Sequence, residues 1–438
     1  MYQEILSFLS VFAVIVGRLH GAPHLSEVGI VYYQPEQVHL AYGESPDQMV
    51  VTWVTLSQTN SSLVEYGIRS LENAAKGSET MFQDGGSEHR KLYIHRVTVT
   101  GLKPGQKYMY HCGSQYGWSS LFTFTAMRTD PAWIPRVAVY GDMGNENPQS
   151  LARLQQETQK RMYDAIFHIG DFAYDMDSDN ARVGDEFMRQ IESVAAYIPY
   201  MVTVGNHESP YNFSNYRNRF SMPRAGGDGE SLFYSLKLGK AHIIGFSTEV
   251  YFYLKYGFHM ALNQYRWLER ELQEANKPEN RAERPWLITM AHRPMYCSTN
   301  DYDDCTFSIS RIRTALEGLF YKSGVDLMLW AHEHIYERLW PIYNMKVCNG
   351  SNAYPYTNPG APVHIITGSA GCKEKHDPFK PPPYWSAFRS SDYGYTRMTI
   401  TNATHLYFEQ VSDDQGGAVT DKFHVIKQKH GAGSFTCS

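Results

Sequence analysis

The feature that most limits how this chain can fold is a short apolar run that ends in side chains able to bind a metal. Ala165–Asp175 reads AIFHIGDFAYD, so the strand-forming residues stop at Gly170 and are followed by Asp171 and Tyr174. Such a run predicts a buried strand. A carboxylate at its end is held rigidly, as a metal site requires, and a phenol oxygen three residues later can reach the same centre. A single Gly-Asp pair after a strand is more often an ordinary turn.

The same pattern occurs at four more places in the chain. The strand-like runs and the residues after them are Arg136–Tyr140 with Gly141-Asp142, Tyr200–Val204 with Gly205-Asn206-His207, Trp286–Met290 with Ala291-His292, and Asp326–Trp330 with Ala331-His332-Glu333-His334. Because open α/β sheets place ligands at the carboxyl ends of their strands, we expect the five ends to converge on one crevice. The candidate metal ligands are Asp142, Asp171, Tyr174, Asn206, His292, His332 and His334.

These seven side chains fall into two chemical groups. Asp142, Asp171 and Tyr174 are hard anionic donors that suit a strongly acidic or trivalent ion, whereas Asn206 and the histidines are neutral donors that suit a divalent transition metal. Seven donors exceed the needs of one ion, and Asp171 can bridge two. Two ions about 3.5 to 4 Å apart form the clamp used for in-line phosphoryl displacement. Hydrolysis of a phosphate ester, with metal-bound hydroxide as the nucleophile, is therefore the predicted chemistry.

His207 adjoins a ligand without being required as one. It can therefore hydrogen-bond the phosphate or protonate the leaving group, and it is the candidate catalytic residue. Glu208 is expected either to orient His207 or to be an exposed glutamate. By contrast, His168, His242 and His364 lie within strand-like runs and are expected to be core residues rather than ligands.

The N-terminus resembles a secretory signal. Ile5–Val16 is an unbroken run of apolar residues and serines, too short to span a bilayer and of the right length for a signal core. We place the signal peptide at residues 1–22. Glu4 and the lack of Lys or Arg before the run depart from the usual pattern, and the alternative is a short buried N-terminal helix.

Two further features agree with export. The chain has six cysteines without Cys-x-x-Cys spacing, which disfavours a zinc ribbon and permits disulfides. Cys297 and Cys305 are the closest pair, and Cys437 could tether a subunit or close the C-terminus. The expected location is secreted or lumenal, with the lysosome as one lumenal alternative. Glycosylation acceptors are predicted at Asn60, Asn212, Asn349 and Asn402.

At 438 residues the chain exceeds one typical domain. Residues 28–126 contain short strand candidates separated by turn residues, which predicts an all-β sandwich that acts as a scaffold or dimerisation module. Within it, residues 101–108 (GLKPGQKY) resemble the tyrosine corner of fibronectin type III domains, and Trp53 is a candidate core residue. Residues 127–135, with two prolines, form the predicted linker.

Residues 136–430 alternate strands with helical periodicity and form the predicted α/β catalytic domain, followed by a C-terminal tail at residues 431–438. Helices are expected over 150–165, 185–197, 263–275 and 308–322, with Ser150 and Ser308 as N-caps. The formal net charge of −5 and the absence of a long Lys or Arg run argue against a nucleic-acid or anionic-membrane partner.

The five blocks together resemble the signature of purple acid phosphatases, and most closely the larger, plant-like branch that also occurs in animals. The resemblance covers nearly the whole chain, from Val28 to Lys427, and Tyr174 separates it from the wider metallophosphoesterases. It implies a fibronectin III-like sandwich followed by an α/β metallophosphoesterase domain of two packed mixed sheets flanked by helices.

The resemblance also implies a ligand set. A ferric ion would be held by Asp142, Asp171, Tyr174 and His334. A divalent ion (iron, zinc or manganese) would be held by Asp171, Asn206, His292 and His332. Charge transfer from the tyrosinate would give a purple colour, the acidic iron would give an acid pH optimum, and His207 would contact the substrate.

The chain departs from the family pattern at two places. Ala331 stands where the last block usually begins with glycine, and its methyl group is tolerable unless the backbone needs a positive φ. Asp301 and Tyr302 stand where plant members carry additional histidines, and neither is assigned to catalysis. Tyr336, Glu337 and Arg338 are expected to support or pack around the site.

The leading hypothesis is an acid phosphatase that acts on phosphate monoesters of small molecules. One alternative is a phosphodiesterase or nucleotide pyrophosphatase on the same metal core. The other is a non-catalytic secreted glycoprotein that binds partners through its β domain. A homodimer is compatible with all of these.

Overall fold

The computed structural model describes residues 32–223 and 230–437. The predicted signal peptide, residues 1–22, lies outside the described residues, as do residues 28–31 of the predicted β domain. Within the described ranges, no helix is both long enough and apolar enough to cross a membrane.

The first domain is a β-sandwich, as predicted. Its strands are β1 (Glu36–Tyr42), β2 (Met49–Thr55), β3 (Leu63–Gly67), β4 (Asn73–Lys76), β5 (Ser78–Gln83), β6 (Lys91–Val99), β7 (Lys107–Ser114), β8 (Gly117–Trp118) and β9 (Phe122–Thr125). One sheet has the order β1-β2-β6-β5, and the other has the order β4-β3-β7-β8 with β9 beside β7. Trp53 is fully buried, and the Tyr108 hydroxyl accepts a hydrogen bond from the Lys103 N–H at 2.9 Å, the contact that defines a tyrosine corner. Strands β4 and β5 are mostly exposed and lack an apolar alternation, so no local sequence pattern indicates them.

The second domain contains two mixed sheets. Its strands are β10 (Arg136–Tyr140), β11 (Ala165–Ile169), β12 (Tyr200–Thr203), β13 (Tyr234–Leu238), β14 (Ala241–Gly245), β15 (Trp286–Met290), β16 (Leu327–Trp330), β17 (Tyr336–Leu339), β18 (Ile342–Tyr343), β19 (Lys346–Val347), β20 (Val363–Thr367), β21 (Ser386–Ser390), β22 (Gly394–Ile400), β23 (His405–Ser412) and β24 (Ala418–Ile426). The first sheet has the order β12-β11-β10-β22-β23-β24, and the second has the order β13-β14-β15-β16-β20-β17-β21. Strands β18 and β19 form a separate hairpin.

The helices of this domain are α1 (Leu151–Gln159), α2 (Ser178–Ala195), α3 (Pro210–Arg219), α4 (Phe258–Ala275), α5 (Pro278–Glu283) and α6 (Gly318–Lys322). Residues 179–181 and 211–213 have left-handed backbone angles, so regular helix in α2 and α3 begins after them. A π-helical segment, Arg313–Glu317, leads into α6. Helices α3 and α5 were not predicted, because α3 mixes polar and aromatic residues without an apolar period and α5 is very short.

Ser150 lies at the N-cap position of α1, as predicted, but its side chain does not cap the helix, and the prediction for Ser308 is wrong. The Ser150 hydroxyl donates to Asp413 Oδ2 at 2.7 Å instead of accepting from its own helix. At the other helix the Arg313 N–H donates to the hydroxyl of Ser310, not of Ser308. A tertiary contact therefore redirects the Ser150 hydroxyl, and the helix predicted over 308–322 begins later than the sequence indicated.

The predicted strand ends are real, but they do not belong to one open sheet. Strands β10, β11 and β12 lie parallel in the first sheet, whereas β15 and β16 lie parallel in the second. One backbone hydrogen bond joins the two sheets at this edge, because Gly141 N, after β10, donates to Thr367 O at the end of β20 at 2.9 Å. Within the second sheet, Ala331 N donates to His292 O at 2.9 Å and holds the ends of β15 and β16 together. The crevice is therefore formed where the carboxyl ends of two packed sheets meet.

Two disulfides hold irregular segments of this domain. Cys297 is bonded to Cys305, as the close spacing predicted, and Cys348 is bonded to Cys437. The second bond settles the alternative left open for Cys437, which closes the C-terminus. Residues 431–437 also pack on the domain, since the ring of Phe435 stacks on Tyr321 at 5.4 Å.

A buried ion pair of the second domain, Arg219–Asp185, also bonds residues of the first domain. Arg219 Nη1 bonds Asp185 Oδ1 at 2.9 Å and Gln37 Oε1, on β1, at 3.0 Å. Arg90, between β5 and β6, also contacts Asp185. Because the buried Arg219 bonds residues of both domains, the relative placement of the two domains is part of the stable fold.

Candidate metal centre

All seven predicted ligands lie at the predicted strand ends and face one crevice. Asp142 follows β10, Asp171 and Tyr174 follow β11, and Asn206 opens a 3-10 turn after β12; His292 follows β15, and His332 and His334 follow β16. Four of them have left-handed backbone angles, with φ of 58° at Asp142, 52° at Asp171, 50° at Tyr174 and 71° at His332. Such angles cost energy in residues other than glycine and are typical of functional sites held by the surrounding fold.

The first group of donors consists of Asp142, Tyr174 and His334. Tyr174 Oη lies 3.1 Å from Asp142 Oδ1 and 2.8 Å from His334 Nε2. His334 Nε2 lies 3.6 Å from Asp142 Oδ1. The phenol, carboxylate and imidazole atoms thus surround one small volume, which is the arrangement expected for the ferric position.

The second group is centred on His292 Nε2. This nitrogen lies 3.0 Å from Asp171 Oδ2, 3.1 Å from Asn206 Oδ1 and 3.1 Å from His332 Nδ1. The group is the set of donors expected for the divalent position, and it adjoins the first because Asp142 Oδ2 accepts the His332 N–H at 2.9 Å.

Each of the three histidines turns a lone pair toward the donors. The Nδ1 atoms of His292 and His334 lie 2.9 Å and 2.8 Å from the carbonyl oxygens of Ile169 and Lys375, which can only accept hydrogen bonds, so each Nδ1 carries the proton and donates it. Their Nε2 atoms are therefore free of protons in the neutral ring. His332 is reversed: its Nε2 faces Asp303, and its Nδ1 faces the site. A fixed second nitrogen is the usual feature of a metal-binding histidine.

The electrostatics also fit a cationic occupant. Burial, followed by the negative charges of Asp142 and Asp171, raises the pKa of the Tyr174 phenol well above its usual value. Burial disfavours the charged form of Asp171 too, but the neighbouring His292 and His207 outweigh burial and lower its pKa. Several acidic groups buried side by side are stabilised when cations lie between them. The residues present therefore fit two metal ions.

His207 lies at the rim of the site, with 19% of its side chain exposed. Its Nδ1 bonds Asp175 Oδ1 at 2.6 Å, and its Nε2 lies 4.0 Å from Asp171 Oδ2. Burial opposes the charged ring, but Asp171 and Asp175 prevail and raise the pKa of His207 to about 10. Sequence reasoning missed Asp175, although it directly follows Tyr174.

Glu208 is neither exposed nor bonded to the His207 ring, so both expectations for it are wrong. It is only 2% exposed. Its carboxylate accepts the N–H groups of Asp171, Phe172 and Gly205, each at 2.9 Å. Glu208 therefore ties the loop after β11 to the loop after β12 and keeps Asp171 and Asn206 together.

Several other predictions can be judged from the structure. Ala331 does not have a positive φ, so its methyl group is accommodated. Tyr302 is 75% exposed, and the Asp301 carboxylate accepts the backbone N–H of Asp303. Tyr336 and Arg338 bond Asp421, and Glu337 accepts the Ser298 N–H, so these residues pack around the fold. The histidines predicted for the core are buried within β11, β14 and β20: His168, His242 and His364.

Three family models match the chain in succession. The model "Purple acid Phosphatase, N-terminal domain" matches residues 35–126, "Calcineurin-like phosphoesterase" matches 135–336, and "Iron/zinc purple acid phosphatase-like protein C" matches 361–422. Together they cover both domains of the structure.

Curated relatives and a solved structure agree with these models. "Acid phosphatase type 7" of Danio rerio is 59% identical over 91% of this chain and 92% of the relative. The human protein of that name is 54% identical over 98% of both chains. "Fe(3+)-Zn(2+) purple acid phosphatase 12" of Arabidopsis thaliana is 30% identical over 88% of this chain and 82% of the relative.

Among solved structures, purple acid phosphatase PPD1 from yellow lupin (Lupinus luteus) seeds superposes with a TM-score of 0.76 at 26% identity, over 90% of this chain and 75% of that one. The order of the strand ends, the two donor groups and these similarities lead to one conclusion. The chain belongs to the purple acid phosphatase family.

Proposed function

We propose that this protein is an acid phosphatase that hydrolyses phosphate monoesters at a centre of one ferric and one divalent ion. The observation that carries the proposal is the pair of adjacent donor groups, one around Tyr174 and one around His292, each with the donor types of its expected ion. Relatives named as acid phosphatases, one of them as an Fe(3+)-Zn(2+) enzyme, support the same activity and cofactors.

Asp142, Asp171, Tyr174 and His334 would hold the ferric ion, and Asp171, Asn206, His292 and His332 would hold the divalent ion. When bound, the two ions supply Lewis acidity toward the phosphate and a nucleophile derived from water. The protein prepares the site by fixing each histidine through its second nitrogen and the loops after β11 and β12 through Glu208.

His207 is the residue we assign to the substrate. Asp175 binds its Nδ1, so the ring is held with Nε2 toward the crevice, where Nε2 can donate a hydrogen bond to a phosphate oxygen or to the departing oxygen. The partly exposed position of His207 suits a group that meets a substrate from solvent, whereas five of the seven ligands are buried and the other two, Asn206 and His332, are half-buried.

The test is an absorption spectrum of the purified protein together with elemental analysis for iron, zinc and manganese. We expect two metals per chain and a visible band that disappears in Tyr174→Phe. Tyr234→Phe is the matched control, because Tyr234 is also fully buried but belongs to neither donor group. A colourless protein with two divalent ions would contradict the ferric assignment, and one without metal would favour the non-catalytic alternative.

A substrate pair separates the monoesterase from the phosphodiesterase alternative. We expect faster hydrolysis of 4-nitrophenyl phosphate than of bis(4-nitrophenyl) phosphate, with a maximum at acid pH. The reverse preference would place the protein among the phosphodiesterases.

We further propose that the protein carries a signal peptide and is a secreted or lumenal glycoprotein. The sequence of residues 1–22 and the four acceptor motifs support this. Asn60 and Asn402 are exposed, whereas Asn212 and Asn349 are half-buried, so the first two are the more accessible acceptors. Glycosidase treatment of protein from the culture medium should lower its mass, and the loss should be smaller in Asn60→Gln and Asn402→Gln. Sedimentation of the same material tests the homodimer.

A further inference from the structure

His332 differs from the other two histidines of the site in what holds its outer nitrogen. His292 and His334 use backbone carbonyls, which are neutral and are placed by the fold. His332 Nε2 instead faces the carboxylate of Asp303, on the loop closed by the Cys297–Cys305 disulfide. The same loop holds Asp301 and Tyr302, which stand where plant members carry additional histidines, and its Asp303 carboxylate lies against a ligand of the divalent-metal position.

Asp303 is itself clamped by a buried charge. Arg293 Nη1 bonds both carboxylate oxygens of Asp303, at 3.1 Å and 3.0 Å. Arg293 Nε bonds both oxygens of Glu249 at 3.2 Å and 3.1 Å, and Glu249 is fully buried. The ring of Phe252 covers the guanidinium at 4.6 Å. A rigid guanidinium fork between two carboxylates leaves little freedom for either end.

The positions of the protons show which neighbour of His332 can accept a hydrogen bond from its Nε2. Nε2 lies close to Asp303 Oδ2 and 2.8 Å from Arg293 Nη1. Arginine can only donate, whereas a carboxylate accepts. When Nδ1 gives its lone pair to a metal, Nε2 keeps its proton and needs an acceptor. Among the described residues, Asp303 supplies that acceptor.

Building on the proposed function, we infer that Asp303 is a positioning residue for the divalent ion, held in place by Arg293 and Glu249. The carboxylate fixes the orientation of the His332 ring and makes Nδ1 a stronger donor, as outer-shell carboxylates do for metal-binding histidines. Arg293 acts through Asp303. Its positive charge offsets negative charge on the carboxylates of Glu249 and Asp303, and its hydrogen bonds keep the Asp303 carboxylate directed at His332.

The experiment measures zinc affinity in the full-length protein. The divalent ion is removed with a chelator while the visible band reports that iron remains, and zinc is then titrated in competition with a chromogenic chelator. In Asp303→Ala we expect the zinc Kd to rise by about 10- to 100-fold. Asp303→Asn keeps an acceptor oxygen without the charge, so its zinc Kd should lie between that of the unchanged protein and that of Asp303→Ala.

Asp301→Asn is the matched control. It makes the same charge change two residues away, where the carboxylate accepts a backbone N–H rather than facing His332. Its zinc Kd should equal that of the unchanged protein. Arg293→Lys retains one charge but cannot bind Glu249 and Asp303 together, so we expect a smaller rise than in Asp303→Ala.

The iron band and the melting temperature of the zinc-free variants separate metal binding from folding. Equal zinc affinity in Asp303→Ala and the unchanged protein would overturn the inference and leave the proposed function intact. An equal loss in Asp301→Asn would also overturn it, because the loop rather than the carboxylate would then be responsible. An unchanged protein that, once freed of its divalent ion, binds none of zinc, manganese and ferrous iron would overturn the proposed function, and the inference with it.

Discussion

Substituting Gly141 with alanine should disturb the metal centre through one defined contact. A Cβ added at Gly141 would lie 2.4 Å from the Cβ of Ala331 and 2.8 Å from the carbonyl oxygen of Ile169. Non-bonded carbon atoms are best placed about 3.5 to 4.0 Å apart, so the ends of β10 and β16 would have to separate by roughly 1 Å. Both ends are pinned by the backbone hydrogen bonds of Gly141 N to Thr367 O and of Ala331 N to His292 O.

This geometry sets the size of the effect. Overpacking of this kind costs about 1 to 3 kcal/mol, and the pinned backbone places Gly141→Ala toward the upper end. Ala331→Gly alone should cost about 1 to 2 kcal/mol, because it loses about 0.8 kcal/mol of methyl burial and about 0.5 to 1 kcal/mol to chain entropy. The double variant removes the carbon-carbon clash, so its cost should fall below the sum of the two single costs by at least about 1 kcal/mol.

The assay is thermal unfolding of the metal-loaded protein, with iron and zinc counted per chain. Since Asp142 follows Gly141 and His332 follows Ala331, the Gly141→Ala protein should also lose metal, and Ala331→Gly should restore part of it. Gly318→Ala is the control, because a Cβ there has no neighbour within 4 Å. A Gly141→Ala protein with unchanged stability and two metals, or additive costs in the double variant, would refute the reasoning.

Three further predictions concern stability. Burial lowers the pKa of His95 from 6.5 to about 4, so the folded state resists its protonation; the stability it contributes is complete above about pH 6.5 and falls by about 2 kcal/mol between pH 7 and pH 5. His95→Gln should show a smaller drop in melting temperature over that range, and an equal drop would contradict the assignment. Arg219→Met leaves the buried Asp185 without its main partner and should cost about 3 to 5 kcal/mol in denaturant unfolding, whereas Arg182→Met, at an exposed ion pair, should leave stability unchanged; equal effects would show that the buried pair is unimportant. Cys348→Ser removes the disulfide that spans 89 residues to the C-terminus and should cost about 2 to 4 kcal/mol; a melting temperature as high as that of the unchanged protein would show that the bond is dispensable.

The ligands could be predicted because their signals are local. Apolar runs such as Ala165–Ile169 identify strands by composition, and the side chain directly after a strand is positioned by that strand. Tyr174, three residues after Asp171, then distinguished the purple acid phosphatase pattern from that of the wider metallophosphoesterases. The strand ends and the types of metal ligand could therefore be predicted without knowing which strands are neighbours.

The partners of these ligands depend on contacts between distant residues. Asp175 meets His207 across 32 positions, and Asp303 meets His332 across 29. Nothing in the local sequence distinguishes these carboxylates from exposed ones such as Asp301. Glu208 is the opposite case. Its sequence position was equally compatible with an exposed glutamate, yet it is buried and accepts backbone N–H groups from two loops.

The sequence by itself determined the two-domain order, the strand ends and the types of metal ligand, because periodicity and residue chemistry are properties of short segments. Only the tertiary structure decided that the ends come from two sheets, which nitrogen of each histidine faces the site, and that Arg293 and Asp303 stand behind His332. These depend on how separate segments pack and on where buried charges find partners, and no short segment carries that information.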